Sequence, residues 1–200
     1  MNKEHTELLW KNYPRTYCGR TKSITQSLIP FGFECGDGWF YPIKKLSAKI
    51  EALNIMLEPY HVKIEATQVK EKYSQLRWNY MVVPTDTDVE YPDESEQTPE
   101  MKEKLQKQEV MLEYADIMAE EYIAQAEKEC MEVCEDCGTQ FYESNPRVMT
   151  MGWMNILCKE CAEKTNRSYV LYPDLNKDPF AEEEKKLYRK EEEEKNDDGK

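Results

Sequence analysis

The sequence predicts a helix-rich α+β chain with a β-hairpin, one long helix and a C-terminal module organised by four cysteines. Three observations carry this. Cys134 and Cys137 form one CxxC pair and Cys158 and Cys161 a second, with twenty residues between the pairs. From His61 apolar and polar positions alternate with a period of two, whereas from Met101 to Ala126 an apolar stripe steps by four and three. Only seven glycines and 34% charged residues in a chain of 200 favour helices with solvated faces.

The chain opens with KEHTELLWKNY, a short amphipathic helix with Leu8, Leu9 and Trp10 as its apolar contacts, ended by Pro14. Residues 17–38 hold five Gly and Pro among isolated apolar side chains and read as loops, with a short strand around Phe31 to Glu34. Trp39, Ile43, Leu46, Ile50, Leu53 and Leu57 then give one apolar helix face, closed by Pro59. Pro42 at the first helical position makes Tyr41 the cap; Asp37 is the other choice.

HVKIEATQVKEK directs Val62, Ile64 and Ala66 inward, LRWNYMVV returns, and YSQ is the turn between them. These elements make an N-terminal α+β region over residues 1–83. Residues 84–99, rich in proline and acids, read as a linker. Residues 100–133 read as one helix whose stripe of Met101, Leu105, Gln108, Leu112, Ala115, Ala119, Tyr122 and Ala126 lies on the hairpin, with a homodimer seam as the alternative. Residues 134–173 form the cysteine module, its second pair opening a helix fed by a Gly152–Trp153 return strand, and SYVLY adds a last strand. Residues 174–200 are a charged tail, a frayed helix and then disorder.

Two CxxC pairs at this separation are the ligand set of a structural zinc site, Zn²⁺ held by the thiolates of Cys134, Cys137, Cys158 and Cys161. Gly138 tolerates the positive φ the knuckle needs. Knuckle, hairpin and helix in that order describe a treble-clef or zinc-ribbon-like module, and four cysteines leave no open position for a catalytic water. Cys130 with Cys134 and Cys137 also spells CxxxCxxC, the spacing of three iron–sulfur ligands in radical enzymes. Only 63 residues follow, too few for the barrel such enzymes need, and the second CxxC would have no role.

Charge is unevenly spread. Residues 1–85 carry net +4, residues 86–135 net −13, residues 136–173 none and residues 174–200 net −4, for −13 overall. Such a field disfavours direct nucleic-acid binding. Candidate ligand contacts are Asp37 and Trp39 beside a helix N-terminus, and Lys70, Lys72 and Arg77 with Trp78 around the hairpin turn, a basic cluster suited to a nucleotide or small anion. Each also has a structural reading: a cap and a core aromatic for the first two, a solubilised edge hairpin for the rest. No eighteen-residue apolar run occurs and Met1–Trp10 is polar, so neither a membrane span nor a signal peptide is expected. Seven cysteines, an odd number, fit a reducing cytoplasm, with Cys18, Cys35 and Cys130 as free thiols.

FECGDGWF, QVKEKYSQLRWNY, CEDCG and GWMNILCKEC, in this order over residues 8–165, resemble a family of small uncharacterised proteins of tailed phages and bacterial genomes. Its members share a GDGW turn, a KEKxGGLRFY-like hairpin and a four-cysteine treble clef; YSQ stands here where that family has Phe-Gly-Gly. The resemblance implies a phage-encoded or mobile-element protein acting in a bacterial host cytoplasm, and no activity. CxxCGT with LCxxCA is similar to GATA-type fingers in fold only. Three functions are open: an accessory protein that binds a host or phage protein through its acidic helix and linker, a nucleotide or small-molecule binder, and an enzyme on nucleic acid or nucleotide. HExxH, P-loop and GxSxG motifs are all missing, which counts against the third.

Overall fold

The structure, a computed structural model, describes residues 1–86, 93, 97–151 and 154–172. Asn2 caps α1 (Lys3–Asn12) by accepting the His5 N–H at 2.8 Å. Leu9 is fully buried, while Leu8 is 39% exposed and points away from the contact expected of it. Adjacent helical positions lie about 100° apart, so one apolar face cannot hold both.

Strand β1 is short, Phe33–Glu34, and a 3₁₀ turn over Asp37–Trp39 leads into α2 (Phe40–Leu57). The helix therefore starts before Tyr41, and its N-cap is Trp39 with no side-chain cap bond. This corrects the Tyr41 assignment. Pro42 sits third, where its missing N–H is still one of the first four that have no intrahelical acceptor. The buried face of α2 is the one read from the spacing: Ile43, Leu46, Ile50, Leu53 and Leu57 are at most 3% exposed.

Strands β2 (Val62–Lys72) and β3 (Gln75–Pro84) pair antiparallel, and β1 adds to β2 in parallel. Val62, Ile64 and Ala66 face the core, as their alternation requires. A bulge at Thr67 shifts the register between Ala66 and Gln68, and the freed Thr67 carbonyl accepts the Leu28 N–H at 2.7 Å. The turn is the two residues Tyr73 and Ser74, at φ 54° and 62°. Both dihedrals are those of a type I′ hairpin, here without the glycine or asparagine that adopt them most readily.

Helix α3 (Pro99–Met131) starts at Thr98, whose hydroxyl accepts the Met101 N–H. Its stripe packs on α2, β2 and β3. Ala115, Ala119 and Ala126 are buried, with Ile123 beside them; Met111, Leu112, Met118 and Tyr122 pack partly buried against the same core. The stripe read as a dimer seam is thus occupied within the chain. Small residues let α3 approach closely, and Tyr80 donates its O–H to Asp116 at 2.7 Å across the contact.

Beyond α3 a second three-stranded sheet has β4 (Arg147–Thr150) between β5 (Ile156–Cys158) and β6 (Tyr169–Leu171), with α4 (Lys159–Lys164) continuing from β5. The return strand is therefore β5; Gly152 and Trp153, most of the linker and the charged tail lie outside the described residues. Asn145, 2% exposed, accepts the Glu160 N–H at 3.1 Å and so satisfies the start of α4. Among the described residues, no helix is long and apolar enough to cross a membrane.

Candidate metal centre

Two local turns bring the sulfurs together. Gly138, at φ 73°, lets the chain reverse so that its N–H reaches the Cys134 carbonyl at 2.8 Å, while the Cys134 N–H reaches Thr139 O at 2.9 Å. The second pair rides on the junction of β5 with α4, Cys158 ending the strand and Cys161 lying in the helix's first turn. All four Sγ atoms lie within 4.8 Å of one another. Cys137 and Cys158 are 3.8 Å apart, matching the edge of about 3.8 Å that a tetrahedron with metal–sulfur bonds of about 2.3 Å requires.

Cys134, Cys158 and Cys161 are buried, and Cys137 is exposed. Val148, Leu157 and Ala162 pack around them, with Phe141 and Tyr169 at the margin. Burial pushes the Cys134 thiol up to about 11, against N–H groups of Cys137, Cys158 and Asp136 that favour its thiolate. Burial also opposes ionisation of Cys137, but the Thr139 hydroxyl and amide and the neighbouring thiols bring it down to about 7. Cys161 is pushed up by burial and then by Cys134. A cation bound by four sulfurs would displace these protons, so affinity rises with pH. Cys130 is outside the group: it is fully buried in the main core with Cys35, and burial raises its thiol far above the usual range.

The knuckle is not a separate appendage. Gly36 donates its N–H to Glu135 Oε1 at 3.0 Å, and Gly38 donates to the Glu135 carbonyl at 2.7 Å. A Cβ on either glycine would fall closer than 3.0 Å to knuckle backbone: Glu135 in the first case, Cys134 and Gly138 in the second. The GDGW turn is thus the seat of the CEDCG knuckle. Glu135 is 6% exposed and also accepts Asn155 Nδ2 at 2.8 Å. Burial raises its pKa, with Glu71 adding to the effect against the bonds from Asn155 and Gly36. The hairpin tip makes a further tie, Ser74 Oγ donating to Met154 O at 3.0 Å.

No protein-family model, no curated protein and no solved structure matches the chain. The geometry places each candidate ligand residue. Trp39 is fully buried, and Trp78, 3% exposed, lies opposite Val69 on the core face of the hairpin. Asp37 accepts the Asn2 N–H at 2.7 Å and pairs with His5 Nδ1 at 3.0 Å. Burial works against it, but these bonds hold its carboxyl below the usual range. Lys70 and Arg77 are directly opposed across the strands, away from Trp78, with Lys72 two residues further along the same face. Lys72 lies over the Tyr73 ring, and Arg77 reaches Gln75 and approaches Glu127 at 3.9 Å. Lys70 lines a cleft of about 400 Å³ with Glu34, Cys35, Glu71, Glu135 and Asn155. The structure keeps Lys70, Lys72 and Arg77 together and puts both tryptophans in the core.

Three groups escape sequence reasoning. Gly36 and Gly38 look like ordinary loop glycines until residue 135 is beside them. His5 appears isolated, yet it stacks on Phe40 at 4.0 Å and bonds Asp37. Glu65 occupies an outward position of β2 and is 1% exposed, because the Cys18–Thr21 turn and its flank cover that face. Lys22, Lys63 and Cys18 surround its carboxylate. Burial alone would raise its pKa, but the two ammonium groups and the thiol bring it down to about 2.

Proposed function

We propose that this protein is a zinc-stabilised, non-catalytic binding module that engages another protein through an acidic surface. The observation carrying the reading is the four-sulfur group itself. Its donors are all cysteine, the set that zinc prefers in structural sites, and four of them complete a tetrahedron with no position left for a reacting water. The knuckle, the β4–β5 hairpin and α4 then serve as a treble clef whose metal fastens the end of α3 to the GDGW turn.

The acidic surface runs along α3, where Glu109, Glu113 and Glu120 are exposed. Carboxylates spaced along a rigid helix offer a row of negative charge to a basic protein surface, including one that otherwise grips phosphates. A host or phage protein in a bacterial cytoplasm is the partner that the family resemblance implies. The test is affinity capture with the full chain from infected cells, with metal measured in the same sample. Zinc near one equivalent and a captured protein lost on Glu109→Gln/Glu113→Gln/Glu120→Gln are expected; capture unaffected by that triple change overturns the reading.

A second reading has one observation in its favour, the cross-strand pairing of Lys70 with Arg77. Two cations on one face can hold a nucleotide or small anion. The three carboxylates beside Lys70 weigh against it. Binding of ATP or inorganic phosphate abolished by Lys70→Ala/Arg77→Ala would decide for it.

A further inference from the structure

Helix α3 carries a second apolar stripe, on the side turned away from the core. Val110, Tyr114 and Ile117 follow one another at steps of four and three and are 53%, 40% and 57% exposed. The stripe sits mid-way along a helix of 33 residues, about 50 Å at 1.5 Å per residue. Its two flanks carry opposite charges at matching distances from Tyr114. Toward the N-terminus stand Glu100 and Lys107, and toward the C-terminus Glu121 and Lys128, all exposed.

We propose that this stripe is the interface of a homodimer in which two copies of α3 pair antiparallel across a two-fold axis beside Tyr114. The occupant is argued from charge. Under such an axis Tyr114 meets its own copy, and residues equidistant from it meet each other. Lys107 is seven residues before Tyr114 and Glu121 seven after; Glu100 is fourteen before and Lys128 fourteen after. Lys107 therefore faces the partner's Glu121, Lys128 faces the partner's Glu100, and the axis repeats both pairs. A parallel arrangement would instead set each charge beside its own copy. Lys107 already holds Glu103 at 2.7 Å within its helix and stays 61% exposed, so its ammonium is placed with donors to spare. The acidic row of Glu109, Glu113 and Glu120 lies to one side of the seam, so dimerisation leaves it available and doubles it.

The area is small, so the pair is expected to be weak, with a dissociation constant on the order of 10 μM. Sedimentation equilibrium on the zinc-loaded full chain tests this. Lys107→Glu and Glu121→Lys should each weaken association about tenfold, and the double variant Lys107→Glu/Glu121→Lys should restore it. Because the two residues are four helical turns apart in one chain, restoration reports a contact between copies. Tyr114→Ser with Ile117→Ser should give a monomer whose circular dichroism is unchanged. A wild-type protein that stays monomeric up to about 500 μM overturns the proposal, as does a dimer indifferent to these changes. A stripe covered only on adding a basic peptide such as poly-lysine does so too.

Discussion

Gly38 stands so near Cys134 that a Cβ on the glycine would fall closer than 3.0 Å to the Cys134 carbonyl oxygen. The neighbour is backbone held by the knuckle's own hydrogen bonds, so it has little freedom to retreat. Gly38→Ala is therefore expected to destabilise the fold by about 3 kcal/mol, and Gly36→Ala similarly through Glu135. Urea unfolding measures the loss. Competition with a zinc chelator should show weaker metal retention in both variants, since the seat and the sulfurs share one turn.

Cys134→Ser/Cys158→Ser removes two of four donors. Structural zinc supplies on the order of 10 kcal/mol to such modules, so residues 130–165 are expected to lose their resistance to proteolysis while α2 and the β2–β3 hairpin keep theirs. In hydrogen exchange, the Gly36 and Gly38 amides should lose protection on chelation, since both are bonded to Glu135. An unaltered proteolytic pattern in the metal-free protein would contradict the role given to the four cysteines.

Glu65 gives a pH signature. Its folded pKa, about 2, lies below the ordinary 4.5, so its contribution is fully present above the unfolded value and is lost as pH falls toward 2. Thermal unfolding should weaken across that window in the wild type. Glu65→Gln should flatten that part of the profile and cost about 2 kcal/mol at pH 7, a figure reduced because Lys22 and Lys63 are partly solvated.

Tyr73 offers a change in the opposite direction. It holds φ 54° and is 65% exposed. Asparagine tolerates this conformation better, so Tyr73→Asn should raise stability by about 0.5 kcal/mol, read as a shift in the urea midpoint. Ser74, although strained in the same sense, should not be replaced, because its hydroxyl ties the hairpin to Met154.

Periodic and spacing signals were readable from the chain: the α2 face, the inward row of Val62, Ile64 and Ala66, the alanine stripe of α3 and the four cysteines. Each rests on residues close together in sequence or on a fixed repeat. What escaped depends on distant partners. The outward position of Glu65 predicts solvent, and only the covering turn near Cys18 makes it a buried carboxylate. Trp39 at a helix entry suits a ligand site as well as a core, and its complete burial assigns it to the core. The start of α2 differs from the expected one because Pro42 is tolerated within the first turn, so proline alone does not fix the boundary.

The bond from the Gly36 amide to the Glu135 side chain joins groups 99 residues apart. During synthesis the donor leaves the ribosome long before its acceptor exists. The glycine turn must therefore wait, solvated, while α3 is translated, and four sulfurs can clasp a cation only once Cys161 has been made. Closure of so long a loop carries an entropic cost that earlier packing of α3 on the hairpin reduces. Any metal capture therefore follows the making of Cys161, and a chain truncated before Cys158 would hold the knuckle in its seat with only two of the four sulfurs.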